Sequence, residues 1–129
     1  MLLGAVDLGS NSFRVEIGRL EGDSIHTQNY LKETVRLAGG FDDKGALTPE
    51  IQARALAALA RFNERLAGLP STQVRAVGTQ AMRVATNAAD FLKKAEETLT
   101  ALIFSLDTRK HVLSSRDAHI RFRFQINGV

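Results

Sequence analysis

Ala5-Val6-Asp7-Leu8-Gly9-Ser10-Asn11-Ser12-Phe13-Arg14-Val15-Glu16-Ile17-Gly18 is the stretch that decides the fold. Residues 2–8, Leu-Leu-Gly-Ala-Val-Asp-Leu, form a short apolar run, and residues 13–20 alternate apolar with polar or small side chains at period two. Two such segments separated by Gly9-Ser10-Asn11-Ser12 predict a β-hairpin. Small residues in the connection let backbone N–H groups converge on an anion, with hydroxyl and amide side chains as further donors. Gly9 tolerates a positive φ and lets an anion come close to the backbone. Asp7 stands just before the loop, where a carboxylate can hold Mg²⁺ directly or through water beside phosphate oxygen. Arg14, two residues past the loop on the polar face of the second strand, offers its planar fork to the same anion. The plain alternative is a hairpin turn ordered by an aspartate.

Working outward, Glu21-Gly22-Asp23 marks a second turn, and Ser24 to Arg36 predicts a third, partly polar strand. The chain therefore opens as an antiparallel meander. After a loop rich in Gly and Asp, Thr48-Pro49-Glu50 announces a helix, with a hydroxyl cap, proline in the first turn and an acid beside it. Ile51, Ala55, Leu59, Phe62 and Leu66 give that helix one apolar face, ending at Gly68 and Pro70. Gln73 to Gly78 predicts a strand and Thr79 the start of another helical stretch. Thr79 and Arg83 are four apart and share a helix face, so at the strand-to-helix junction they can address one anion; the alternative is a Thr cap followed by a surface Arg. Asn87 is expected to cap a further helix whose buried side is Phe91, Leu92, Ala95 and Leu99. Lys93, Lys94, Glu96 and Glu97 supply its solvated side. Leu102 to Leu106 and Arg121 to Ile126 are weaker strand candidates. The expected class is α/β, a mixed sheet of a β-meander followed by β-α units.

With 129 residues, 44% of them hydrophobic and no cysteine, the chain has the size of one domain and no disulfide or thiolate metal site. His26, His111 and His119 lack metal-ligand spacing. No apolar run is long enough to span a membrane and no secretory leader pattern is present, so a cytoplasmic protein is expected. Net charge is +3, but residues 1–99 carry twelve basic and twelve acidic side chains, so the excess lies in residues 100–129. In that tail Arg121-Phe122-Arg123-Phe124 fits a strand with phenylalanines inward, or a surface that stacks bases beside cations. Nucleic acid is not the expected partner.

The segments Ala5 to Arg14 and Val77-Gly78-Thr79-Gln80-Ala81-Met82-Arg83-Val84-Ala85-Thr86-Asn87-Ala88-Ala89-Asp90-Phe91-Leu92 resemble the exopolyphosphatase / guanosine pentaphosphate phosphohydrolase family. This family belongs to the actin-like ATPase superfamily, whose lobes have a ribonuclease-H-like fold. The resemblance runs from about residue 4 to about residue 99 and includes residues 32–38 and 59–66. It implies that Asp7 serves Mg²⁺ and that Gly9, Ser10, Asn11, Ser12 and Arg14 hold a terminal phosphate. It further implies that Thr79 and Arg83 grip the phosphate from the other side, and that Arg36 contacts the polyanionic chain. The implied reaction is water attack on a terminal phosphoryl group of polyphosphate or guanosine pentaphosphate, releasing orthophosphate, with one carboxylate orienting the water.

Family members continue with Gly-x-Glu-Glu-Ala-Arg, which carries the catalytic glutamate, and then with an Asp-x-Gly-Gly-Gly-Ser loop. Neither stands here in recognisable form; the nearest substitute for the first is Asp117-Ala118 within Ser115 to Ile120. The expected organisation is thus residues 1–99 as the front of a phosphate-binding lobe and 100–129 as a divergent basic tail. Three origins fit such a chain: a truncated or frameshifted product, a fragment completed by another chain, or a protein that kept the first half of the fold. The missing later strands lead us to expect a homodimer or a complementing chain, and weak or no activity for the chain alone. A non-catalytic phosphate- or polyphosphate-binding module is the alternative function.

Overall fold

The computed structural model describes residues 1–78, 82 and 84–105. The three opening segments form β1 (Leu2–Leu8), β2 (Ser12–Glu21) and β3 (Ser24–Thr34). β1 pairs antiparallel with β2, and β2 with β3, which makes the expected meander. Helix α1 (Pro49–Arg65) leads through a short 3-10 turn to β4 (Val74–Gly78), and α2 (Ala88–Leu99) leads to β5 (Ile103–Ser105). β4 and β5 add in parallel, β4 beside β1, giving a five-stranded sheet of order β3-β2-β1-β4-β5. This is the mixed sheet of a ribonuclease-H-like lobe.

Period-two patterning decides which face of the sheet is covered. Val6 and Leu8 of β1 stand opposite Val15 and Phe13 of β2 and join the core cluster. α1 supplies Ile51, Ala55, Ala58, Leu59 and Phe62 to that cluster, and α2 supplies Ala88, Phe91, Ala95 and Leu99. Both helices therefore lie on one face. Phe13, Phe62 and Phe91 are fully buried, each stabilising the fold by about 1.5–3 kcal/mol through lost apolar exposure. Leu3 and Ala5 point to the opposite face with Leu20. Asp7, Arg14 and Glu16 share this second face, because side chains alternate along each strand and cross-strand partners face the same way.

α1 begins as its sequence demands. The Thr48 hydroxyl accepts from the N–H of Ile51 at 3.3 Å, with Pro49 in the first turn and Glu50 beside it. It ends at Arg65, a little before the anticipated stop, and Gly68 follows with φ of 91°. Edge strand β3 is tied to α1 through Arg61 Nε, which donates to Glu33 Oε2 at 2.8 Å, and through Arg65 Nη1, which donates to Asn29 Oδ1 at 2.7 Å.

Asn87 corrects an expectation. It precedes α2, but its side chain makes no cap bond. Instead its Oδ1 accepts from the Leu47 N–H at 2.9 Å and its Nδ2 donates to the Leu47 carbonyl at 3.0 Å. One amide thereby meets both the N–H and the carbonyl of Leu47, the carbonyl accepting also from Gln52 Nε2 at 2.9 Å, which outweighs a cap at a solvent-accessible helix start. The Thr86 N–H also donates to the Gly45 carbonyl at 3.0 Å, so the loop before α1 is fastened to the start of α2. Of the strand expected over 102–106, residues 103–105 form β5; 106 and the strand expected over 121–126 lie outside the described residues.

Candidate functional site

The loop between β1 and β2 closes on itself. The Gly9 N–H donates to the Ser12 carbonyl at 3.0 Å, and a Cβ on Gly9 would fall 2.7 Å from that same oxygen. Only glycine fits such an approach. Two further carbonyls of the loop are occupied by the segment after β3. The Asn11 carbonyl accepts from the N–H groups of Val35 at 3.0 Å and Arg36 at 2.7 Å, and the Ser10 carbonyl accepts from Ala38 at 3.0 Å. Oxygens that would repel an anion are thereby held by residues 35–38.

Two consecutive N–H groups converging on one carbonyl force the backbone into a tight turn. Arg36 accordingly adopts φ 58° and ψ 50°, the left-handed region that disfavours non-glycine residues. The turn sets Arg36 beside the loop with its side chain exposed. Its strained backbone had no signal in the sequence; neither did the bracing of the loop by residues 35–38.

Beneath the loop lies Asp7. It is 3% exposed, and its Oδ1 is buried without a hydrogen-bond partner. Burial pushes its carboxyl up from 3.8 to about 6, and the Arg14 guanidinium pulls in the opposite direction. Arg14 is the direct cross-strand partner of Asp7. Ser12 is also buried, while Gly9 and Ser10 are half-buried and Asn11 exposed, so the loop remains accessible from above.

A buried carboxylate oxygen without a partner is costly in a folded protein, and it marks a place where a cation can repay desolvation. The chemistry suits Mg²⁺, which is held by one or two carboxylates, keeps several waters and shares phosphate oxygens. Among the described residues no group of three or more His, Cys, Asp or Glu could form an all-protein metal cage. Asp7 therefore fits a single-carboxylate ion completed by water and phosphate.

β4 brings the second predicted constellation to the same place. β1 and β4 are parallel and in register from Gly4↔Val74 to Leu8↔Gly78, so their C-terminal ends lie side by side, about 4.8 Å apart. Gly78 thus stands next to the start of the β1–β2 loop. Ligands of open α/β sheets collect at such carboxyl ends. Thr79 and Arg83 themselves lie outside the described residues, as does Asp117. Of the predicted set, Asp7, Gly9, Ser10, Asn11, Ser12, Arg14 and Arg36 are gathered around one loop.

A family model of the Ppx/GppA phosphatases matches residues 17–105. The chain belongs to this family. Solved Ppx/GppA structures superpose on it with the same fold. The Aquifex aeolicus Ppx/GppA enzyme gives a TM-score of 0.74 at 22% identity, over 82% of this chain and 36% of that one. An exopolyphosphatase from Cytophaga hutchinsonii gives 0.73 at 28% identity, over 81% of this chain and 34% of that one. An exopolyphosphatase-like protein gives 0.73 at 27% identity, over 81% and 32%. This Ppx/GppA chain spans about a third of the length of those relatives. No helix among its described residues is long and apolar enough to cross a membrane.

Proposed function

We propose that the chain forms the phosphate-gripping front of a phosphoanhydride hydrolase that removes terminal orthophosphate from inorganic polyphosphate or guanosine pentaphosphate. The observation that carries it is Asp7, a buried carboxylate with an unpartnered oxygen under a glycine-closed loop and directly opposite Arg14. Family membership supports the same reaction class.

In this proposal the Gly9–Ser12 loop and Arg14 orient the terminal phosphate and draw charge from its oxygens. Asp7 would hold Mg²⁺. When bound, the ion supplies neutralisation of the charge shared by the reacting and bridging oxygens. Thr79 and Arg83 close on the phosphate from the β4 side, and Arg36 holds the following part of the polyanion. Asp117 is proposed to orient the attacking water. The bond that forms joins water oxygen to the terminal phosphorus; the bond that breaks joins that phosphorus to the bridging oxygen, which departs with the shortened chain and takes up the proton water gives up, so that the phosphorus with water's oxygen is released as orthophosphate.

A second function, a non-catalytic phosphate-binding module or a fragment completed by a partner chain, rests on the sequence after residue 99, where Asp117-Ala118 is the nearest substitute for the Glu-Ala of the resembled family. Orthophosphate release from tripolyphosphate with Mg²⁺ separates the two. The enzymatic proposal expects release that disappears in Asp7→Ala. Release that is unchanged in both Asp7→Ala and Asp117→Ala would overturn it for this chain. Mg²⁺-dependent binding without release would establish the module instead.

A further inference from the structure

The row of side chains that starts at Asp7 does not stop at Arg14. β2 and β3 are in register at Arg14↔Lys32, so Asp7, Arg14 and Lys32 stand in line across three neighbouring strands on one face of the sheet. The irregularity in β2–β3 pairing falls between Ile17 and Gly18 and leaves this row intact. Successive members are about 4.8 Å apart at the backbone, giving a track about 10 Å long. Burial falls along it, from Asp7 at 3% exposed through half-buried Arg14 to exposed Lys32 on the edge strand.

The neighbours of Lys32 on β3 have other duties. Glu33 turns to the opposite face and pairs with Arg61, and Leu31 packs against the core. Lys32 alone among these three projects onto the face that holds Asp7 and Arg14. The inner end of the track carries the feature that points to a ligand, the buried Asp7 oxygen without a partner.

We infer that Lys32 is a further cationic station, additional to Arg36, of an extended anion site, binding the phosphates that follow the terminal one in a linear chain of three or more. This rests on the proposal that Asp7 and Arg14 address the terminal phosphate. An anion with a single phosphate occupies only the inner end, whereas a longer chain has charge left over to reach the rim. An ammonium suits that place because its three donors rotate on a flexible stem and follow a chain that is not held in one geometry. Lys32 thereby makes the site prefer linear polyanions over orthophosphate.

Binding of orthophosphate and of tripolyphosphate to the full chain, measured by titration calorimetry with Mg²⁺ present, tests this directly. Lys32→Gln should weaken tripolyphosphate about three- to fivefold, the scale of one exposed charge contact, while orthophosphate changes less than about twofold. The tripolyphosphate loss should shrink as salt rises. Lys93→Gln, an equal change in net charge on the exposed side of α2, is the control and should leave both unchanged. If Lys32→Gln and Lys93→Gln bind tripolyphosphate alike while Asp7→Ala abolishes binding of both anions, the role of Lys32 is refuted and the terminal-phosphate site stands. If Asp7→Ala also leaves both affinities intact, both fail together.

Discussion

Asp7→Asn is expected to stabilise the free protein at neutral pH while removing the proposed response to Mg²⁺ and phosphate. The Asp7 carboxyl is pushed from 3.8 up to about 6 by burial, so the folded state holds its proton more tightly than the unfolded chain. The sign follows from linkage. Below pH 3.8 the group is protonated in both states and costs nothing; between 3.8 and about 6 only the unfolded state ionises readily, so stability falls as pH rises; above about 6 the penalty is complete. A displacement of about 2 pK units corresponds to about 3 kcal/mol, a large part of the 5–15 kcal/mol that holds a domain folded. Asparagine keeps the shape and removes the charge. The difference in unfolding free energy between Asp7→Asn and the natural chain, from urea melts across pH 3.5 to 8, should be near zero at the acid end and grow to about 3 kcal/mol in favour of the variant near neutrality. In thermal melts at neutral pH that is a gain of roughly 10 °C. Taking the difference cancels the titration of every other group. Mg²⁺ with tripolyphosphate at about a hundred times its Kd should then add about 2.7 kcal/mol to the natural chain and nothing to the variant. A difference that stays flat with pH, or a variant less stable at pH 7.5, would refute the assignment of Asp7 as a desolvated carboxylate awaiting a cation.

Gly9→Ala should open the phosphate loop, since the new methyl would sit 2.7 Å from the Ser12 carbonyl; a loss of about 1–3 kcal/mol in urea melts is expected, with tripolyphosphate affinity falling further than stability predicts. Arg36→Gly should relieve about 1 kcal/mol of left-handed strain, so stability holds or rises; if Arg36 contacts the polyanion, tripolyphosphate binding weakens in the same variant, and unchanged binding would remove it from the site. Asn87→Ala leaves the Leu47 N–H unmatched, while Gln52 Nε2 still donates to the Leu47 carbonyl, and should cost about 1–3 kcal/mol; Asn87→Ser, which restores a helix cap but not the paired bonds, should not rescue it, and rescue would show that capping is the residue's role after all.

How far the sequence reaches depends on how local the physics is. Apolar alternation over residues 13–20 and the four- and three-residue steps from Ile51 to Phe62 express interactions between close neighbours in the chain, and β2 and α1 form where those patterns put them. Thr48 caps α1 because the hydroxyl it offers lies three residues from the N–H it meets. The Asp7-to-Arg14 loop was legible for the same reason. A hairpin fixes its own geometry, so a carboxylate before the turn and a guanidinium after it are brought opposite each other by register alone.

What tertiary structure decided concerns partners far apart in sequence. Asn87 looks like a cap from its neighbours, yet forty residues away Leu47 presents an N–H and a carbonyl that only a side-chain amide can satisfy together. Arg36 owes its left-handed backbone to the Asn11 carbonyl, and Lys32 owes its place in the row to β2–β3 pairing. The desolvation that raises the Asp7 carboxyl depends on burial, which no local pattern encodes. The chain's own residues thus determined the elements, the family and the loop that joins β1 to β2. Assembly of the sheet determined which cations line up behind that loop and which carboxylate is left buried and waiting, because burial and register exist only once distant segments have packed.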